Sequence, residues 1–306
     1  MEYNFAIYDL RHGRLEEHLA IADPSAPINR DNIRDLPRPS YIKWLLREKK
    51  HVPGIPTDCY FLDWTIDEAE LEAWALHVRR HYVRDDELLE DSSFNEMSVE
   101  DYLSTLCIPM RYERDKRGPA VRAGDFAEIV VSDLLQFIEG LSVPRYKQIE
   151  RTNPNISDPG SDVVAYKVDD PGNPQRDDLL LVVEVKAKLT GSVKLEEVIK
   201  NAGEHSKKDE PGEDFRVPFS LKAIGKRSRA AGDDLTALEC RRLMNLTEYP
   251  LTFKRGSAVM VSLEDVTALE GYSLESLGLS KDERLIVVHG SKLMELVHSV
   301  YDRCVK

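Results

Sequence analysis

Apolar positions along this chain change period several times. In "TIDEAELEAWALHVRRHYV" (65–83) Ile66, Leu71, Trp74 and Val78 fall along one face behind a threonine and an acidic first turn, which predicts a helix. "GDFAEIVVSDLLQFIEG" (124–140) sets Phe126, Ile129, Val130, Leu134, Phe137 and Ile138 at helical spacing, with Gly140 suited to the position just past the C-terminus. The apolar runs then shorten to strand length: "VPRYKQIER" (143–151), "SDVVAYKV" (161–168) and "LLLVVEVKAK" (179–188). The last two flank "DDPGNPQRDD", whose Pro-Gly and Asn-Pro pairs predict a hairpin-type loop. Helices follow at about 193–207, 219–230 and 234–246, then strands at "SAVMVSL" and "RLIVVHG" and a closing helix at "SKLMELVHSVYDR". From 124 onward this order predicts an α/β (α+β) fold, a mixed sheet flanked by helices. Residues 1 to about 60 are proline-rich, with one helix expected at "SYIKWLLREKK" (40–50). The expected organisation is a mainly helical N-terminal region, 1–115, for partner binding or regulation, and a sheet-bearing domain, 116–306. Trp44, Trp64 and Trp74 are expected to pack that N-terminal region or a partner interface.

Charge narrows the classes of partner. Lys plus Arg is 42 against 55 Asp plus Glu, a formal charge of −13, so a polyanion must be met by a local basic patch. Residues 215–232 offer one: no acidic residue occurs there, while Arg216, Lys222, Lys226, Arg227 and Arg229 do. On a helix Lys222, Lys226 and Arg229 share a side, which reads either as a solvated face or as a stripe that tracks phosphates, with Lys188, Lys194 and Lys200 extending it. The opposite pole is Asp85, Asp86, Glu87, Glu90, Asp91, Glu96, Glu100 and Asp101, unbroken by lysine or arginine. That is a solvated face or a docking surface for a basic partner. No stretch approaches the roughly 20 apolar residues of a membrane span, and a cytoplasmic location is expected. Cys59, Cys107, Cys240 and Cys304 are too scattered for a disulfide framework or a CxxC knuckle. His77 and His81, four apart on one helix, would make a metal clip only with a third ligand. His205 reads as a surface residue in a polar turn.

The strand at 179–188 ends unusually. Alternation puts Leu180, Val182, Glu184, Lys186 and Lys188 on one face, so the charges converge. A half-buried carboxylate needs a partner, and a plain ion pair with Lys186 is one answer. Hairpin pairing supplies another by bringing Asp162 near Glu184. At about 4 Å two carboxylates repel by roughly 4 kcal/mol at an effective dielectric of 20, and a divalent cation removes that repulsion. Asp162, Glu184 and the Val185 carbonyl are hard oxygen ligands of the kind Mg²⁺ takes. Lys186 beside them could stabilise a developing phosphorane or orient the attacking water.

Asp162, then Glu184-Val185-Lys186, preceded by a helix bearing Glu128, resembles the PD-(D/E)xK nuclease superfamily, with Ser161 in the place of the motif's proline. In that superfamily a central mixed sheet of about four strands carries the aspartate on its second strand and the (D/E)xK on its third. More specifically, residues 65–230 resemble the nuclease subunit of Hachiman-type antiphage systems. The stretches that carry this are "HVRRHYVRDDEL", "EDYLSTLCIP", "GPAVRAGDFAEIVVSDLLQF", "VPRYKQIERTNPNISDPGSDVVAYKV" and "LLLVVEVKAKLTG". Ala123 and Ala127 stand where serine and glycine are expected. The resemblance implies a Mg²⁺-dependent (or Mn²⁺-dependent) DNA endonuclease or nickase in prokaryotic defence, restrained by a partner helicase. Asp162, Glu184, Val185 and Glu128 would hold metal, with Lys186 assisting, and Lys188, Lys222, Lys226, Arg227 and Arg229 would bind DNA. Two alternatives stay open: a nuclease-like subunit that binds DNA or a partner without cutting, and a stand-alone restriction-type endonuclease.

Overall fold

The computed structural model describes residues 37–306 apart from 112–116, 146, 150, 212, 214 and 245–250. The proline-rich stretch before residue 37 and the end of the helix expected over 234–246 lie outside the described residues. In chain order the elements are β1 (Leu45–Glu48), β2 (Thr57–Leu62), α1 (Glu68–Arg79), α2 (Leu88–Phe94), α3 (Val99–Tyr102) and α4 (Arg117–Asp133), which runs on into a wider turn at Leu134–Ile138. Then come β3 (Val163–Lys167), β4 (Leu179–Lys188), α5 (Leu195–Ser206), α6 (Arg216–Ala230) and α7 (Asp234–Met244). β5 (Thr252–Val261), α8 (Leu274–Leu277), β6 (Arg284–His289) and α9 (Leu293–Cys304) complete the series.

The strands form one mixed sheet in the order β1-β2-β6-β5-β4-β3. Its inner neighbours β2, β6, β5 and β4 are parallel, and β1 and β3 close the two edges antiparallel. The mixed α/β architecture expected from the sequence is therefore the one observed. Leu181, Val183 and Val185 of β4 pack into the core shared with α1, α4 and α9. Leu180 and Val182 enter a second core with Val217, Leu221 and Ile224 of α6 and with α7. Burial on both faces is why β4 reads as a continuous apolar run.

Three expectations fail for identifiable reasons. "SYIKWLLREKK" makes only a 3₁₀ turn at Ser40–Trp44 before Leu45 enters β1, whose backbone pairs with β2 from Leu45↔Leu62 to Glu48↔Cys59. The first residues after the proline-rich stretch thus contribute an edge hairpin to the sheet. Thr65 does not start α1. Asp67 does, its carboxylate accepting the Glu70 N–H at 3.2 Å, and Ile66 is left 80% exposed rather than on the buried face. Among its described residues the stretch 143–151, expected as a strand, forms none, and a single bridge, Ser142↔Tyr166, stands beside it. Arg145 donates to Asp133 at 2.8 Å, and Arg151 clasps Asp125 with two bonds of 2.7 and 3.0 Å. Adjacent Lys147 and Gln148 both reach Glu128, at 3.0 and 3.2 Å, and neighbours that reach one carboxylate are incompatible with strand alternation.

α4 begins at Arg117, seven residues before the expected Gly124. Gly118 permits this, because a Cβ there would lie 2.4 Å from the Met110 carbonyl oxygen and 2.9 Å from Asn155 Oδ1. Trp74 is buried and stacks on Tyr41 at 3.8 Å between ring centroids, and Trp64 donates to the Ser291 carbonyl at 2.9 Å. Gly140, at φ +72°, ends the α4 extension as its pattern predicts.

Candidate active site

The β3–β4 register pairs Val163 with Val183, so its continuation places Asp162 opposite Glu184, as the hairpin reading expects. The two side chains engage different neighbours. Asp162 Oδ2 accepts the Val185 N–H at 2.9 Å, and Asp162 Oδ1 meets Lys147 Nζ at 2.6 Å. The same ammonium lies 3.0 Å from Glu128 Oε1, and Gln148 Nε2 donates to Glu128 Oε2 at 3.2 Å. Glu128 and Asp162, from α4 and the start of β3, therefore share one cation. Glu184, 2% exposed, is met by Lys186 Nζ at 2.5 Å, Arg216 Nη2 at 3.0 Å and His205 Nδ1 at 3.4 Å.

These carboxylates feel one another. Burial pushes the Glu128 carboxyl up to about 8; Lys147 opposes this, while Asp162 and Asp125 add to it. Burial also works against the Asp162 carboxylate, yet the charge and hydrogen bond of Lys147, the Val185 N–H and Lys186 hold it below the usual range. Burial lifts Asp209 to about 6 against the Ser161 hydrogen bond and Arg216, with Glu184 and Asp162 raising it further. Ser161, in the place of the motif's proline, donates to Asp209 Oδ1 at 2.8 Å, and Arg216 also donates to the Gly160 carbonyl at 2.6 Å.

An open cleft of about 400 Å³ runs between α4 and the end of β4, with Glu128, Asp162, Val185 and Lys186 on its wall. The donors here are all oxygen, a Mg²⁺-type set, and Glu128 and Asp162 already converge on a positive charge. Glu128, Asp162 and Glu184 do not gather as tightly as two other groups among the described residues, Glu48–Cys59–His289 and His77–His81–Asp133, whose ligand atoms lie within 4.8 Å of one another. The second group supplies the third ligand that the His77, His81 spacing lacks in sequence: His77 Nε2 is 2.9 Å from Asp133 Oδ2.

The basic residues divide. Lys222, Lys226 and Arg229 are exposed on the outer face of α6, and Lys188 is exposed at the end of β4. Arg227 is half-buried in a second cleft of about 340 Å³ that also contains Lys147, Ser161 and Asp162. Lys194 and Lys200 are paired with Glu197 and Glu196, each at 2.8 Å, and so extend the stripe little. Lys147, Gln148, Asp209 and Arg216 are the participants that sequence reasoning left out of the site. His205, expected in a surface turn, sits on α5 beside Glu184. The available signal was "RYKQIER" itself, whose polar residues are too dense for the strand its ends suggest.

No helix among the described residues is long and apolar enough to cross a membrane. No curated protein matches the chain. A model of the HamA family matches residues 39–304, which takes in every described strand and the whole of this site; the chain belongs to the HamA family of Hachiman antiphage-defence components.

Proposed function

We propose that the chain is a metal-dependent DNA nuclease whose cleft at the β3–β4 edge binds and hydrolyses a phosphodiester. The observation that carries this reading is the convergence of Glu128 and Asp162 on one cation at a cleft that also holds Lys186. A Mg²⁺ or Mn²⁺ ion held by Glu128 and Asp162, with Glu184 and the Val185 carbonyl completing the proposed ligand set, would supply Lewis-acid polarisation and an activated water. Lys186 is placed to hold that water or the non-bridging oxygens as charge develops. Lys147 bridges Glu128 and Asp162 in the resting site, and Gln148 donates to Glu128. Arg216 holds Glu184 Oε2 at 3.0 Å, and His205 lies 3.4 Å from its other oxygen. Lys222, Lys226, Arg229 and Lys188 would follow the DNA backbone through phosphate contacts, giving affinity with little sequence dependence.

As a Hachiman component the chain would act in a hetero-complex, with a helicase as the proposed partner. Supercoiled plasmid incubated with Mg²⁺ or Mn²⁺, with and without the co-encoded helicase, is expected to be nicked or degraded. The Glu184→Ala/Lys186→Ala double variant and Asp162→Ala are expected to lose that activity; full activity in the double variant would overturn the roles of Glu184 and Lys186. A second reading is favoured by one observation, the pairing of Glu184 with Lys186 and Arg216, which suits a DNA-binding or partner-binding subunit that does not cut. An intact complex that retains DNA but never cleaves with added metal would select it.

A further inference from the structure

Glu48, Cys59 and His289 come from three different strands, β1, β2 and β6, at the sheet edge opposite the β3–β4 edge of the cleft. Cys59 and His289 are fully buried, and the Glu48 side chain is 28% exposed. One oxygen, Glu48 Oε2, receives His289 Nε2 at 2.7 Å, Lys50 Nζ at 3.2 Å and Cys59 Sγ at 3.6 Å. A single carboxylate oxygen has two lone pairs, so three donors oversubscribe it. His289 Nδ1 lies 3.1 Å from the Leu263 carbonyl. That oxygen can only accept, so Nδ1 carries a proton. With Nδ1 donating, Nε2 faces Glu48 Oε2 at 2.7 Å, where a lone pair on each atom would repel the other.

We propose that these three residues form a site for a thiophilic divalent cation of the Zn²⁺ class, which ties the β1–β2 hairpin to β6. Ligation resolves the crowding: a ring that donates its Nδ1 proton to a backbone carbonyl presents the Nε2 lone pair, the usual arrangement around a metal-bound histidine. In a tetrahedral zinc site with Zn–S about 2.3 Å and Zn–O about 2.0 Å, sulfur and oxygen stand about 3.5 Å apart. The observed 3.6 Å between Cys59 Sγ and Glu48 Oε2 matches. Charge also balances, because a divalent ion with one thiolate, one carboxylate and a neutral imidazole is neutral. Binding displaces the Cys59 thiol proton to solvent, so affinity rises with pH. Lys50 gives up Glu48 at little cost, since Asp265 Oδ1 holds it at 3.0 Å. The His77–His81–Asp133 group is less suited, because Arg145 already occupies Asp133 Oδ1 at 2.8 Å and an added dication would leave excess buried positive charge.

The test is titration of the metal-stripped full chain with Co²⁺, followed by displacement with Zn²⁺. One equivalent of Co²⁺ is expected to give thiolate-to-cobalt charge-transfer absorption in the near ultraviolet together with visible ligand-field bands, both bleached by Zn²⁺. The Asp162→Ala variant should give the same spectrum, which separates this site from the proposed nuclease centre. Cys59→Ser should lose the charge-transfer band. Glu48→Gln, on the exposed side of the site and usable if the cysteine variant fails to fold, should weaken Co²⁺ binding by about tenfold or more. The proposal is overturned by a wild-type chain without the charge-transfer band, by a band that survives in folded Cys59→Ser, or by unchanged affinity in Glu48→Gln. It is overturned equally by ligand-field bands that vanish in His81→Ala alone.

Discussion

At the scale of single residues, Lys147 decides the state of the candidate site. Its ammonium lies between two carboxylates that burial alone would drive toward their neutral forms. The two acids contribute to stability with opposite signs. Glu128 titrates near 8 in the folded chain, above its ordinary range, so the fold binds that proton more tightly than the unfolded chain does and stability falls as pH rises toward 8. Asp162 is held below its ordinary range, so its contribution is present near neutrality and is lost as pH falls through that depressed value. Removing the cation in Lys147→Met should cost about 3–5 kcal/mol at pH 8, the penalty for leaving a buried charge uncompensated. Most of that loss should return as pH is lowered toward 5 and both carboxyls protonate. Urea unfolding midpoints in chelator-treated protein between pH 5 and 8 measure this, and a loss independent of pH would rule out the ionic role of Lys147.

At the scale of elements, α6 presents two unlike faces. Val217, Leu221 and Ile224 bury against β3 and β4, while Lys222, Lys226 and Arg229 project outward without an ion pair among the described residues. Reversing those three charges to glutamate should leave thermal stability nearly unchanged. It should also flatten the dependence of log DNA affinity on log salt by about 2.7, three phosphate contacts at about 0.9 each; an unchanged slope would place the DNA elsewhere. Much of this architecture was legible in the residues. β3, β4, β5, β6 and the helices after β4 announce themselves because each buries a continuous or periodic apolar set. The Asp162–Glu184 register follows from a hairpin whose loop residues are explicit. What stayed hidden depends on partners remote in the chain. β1 is a strand because β2 pairs with it, although the spacing of Tyr41, Ile42, Trp44 and Leu45 suits a helix equally well. Arg145, Lys147, Gln148 and Arg151 are held by Asp133, Glu128 and Asp125, and no local period encodes where those carboxylates will be. Lys147 was invisible as a site residue for that reason.

At the scale of the whole molecule, the net charge of −13 is unevenly distributed. Asp85 is clasped by Arg79 and Arg80, and Asp86 by Arg84, so the acidic pole read from the sequence is partly neutralised at its start. Beyond it Glu90, Glu96 and Glu100 are exposed beside Leu89 and Phe94, which are 70% and 86% exposed. Exposed apolar side chains rimmed by like charge suit a basic partner surface better than open solvent. Leu89→Ser with Phe94→Ser should lower co-purification with the proposed helicase partner, and reversing Glu90, Glu96 and Glu100 to lysine should slow association most at low salt. Unaltered complex formation in both variants would move the interface elsewhere. The sheet order carries a different consequence. β3 and β4 are neighbours in the chain, whereas β2 is locked to β6 by contacts such as Arg284 to Asp58, 226 residues apart. Closing so long a loop is entropically costly and late. A chain emerging from the ribosome can therefore zip the hairpin that bears Asp162 and Glu184 well before it can seal the opposite border, and the border of β4 stays open to wrong pairing until β5 arrives, that of β2 until β6 does.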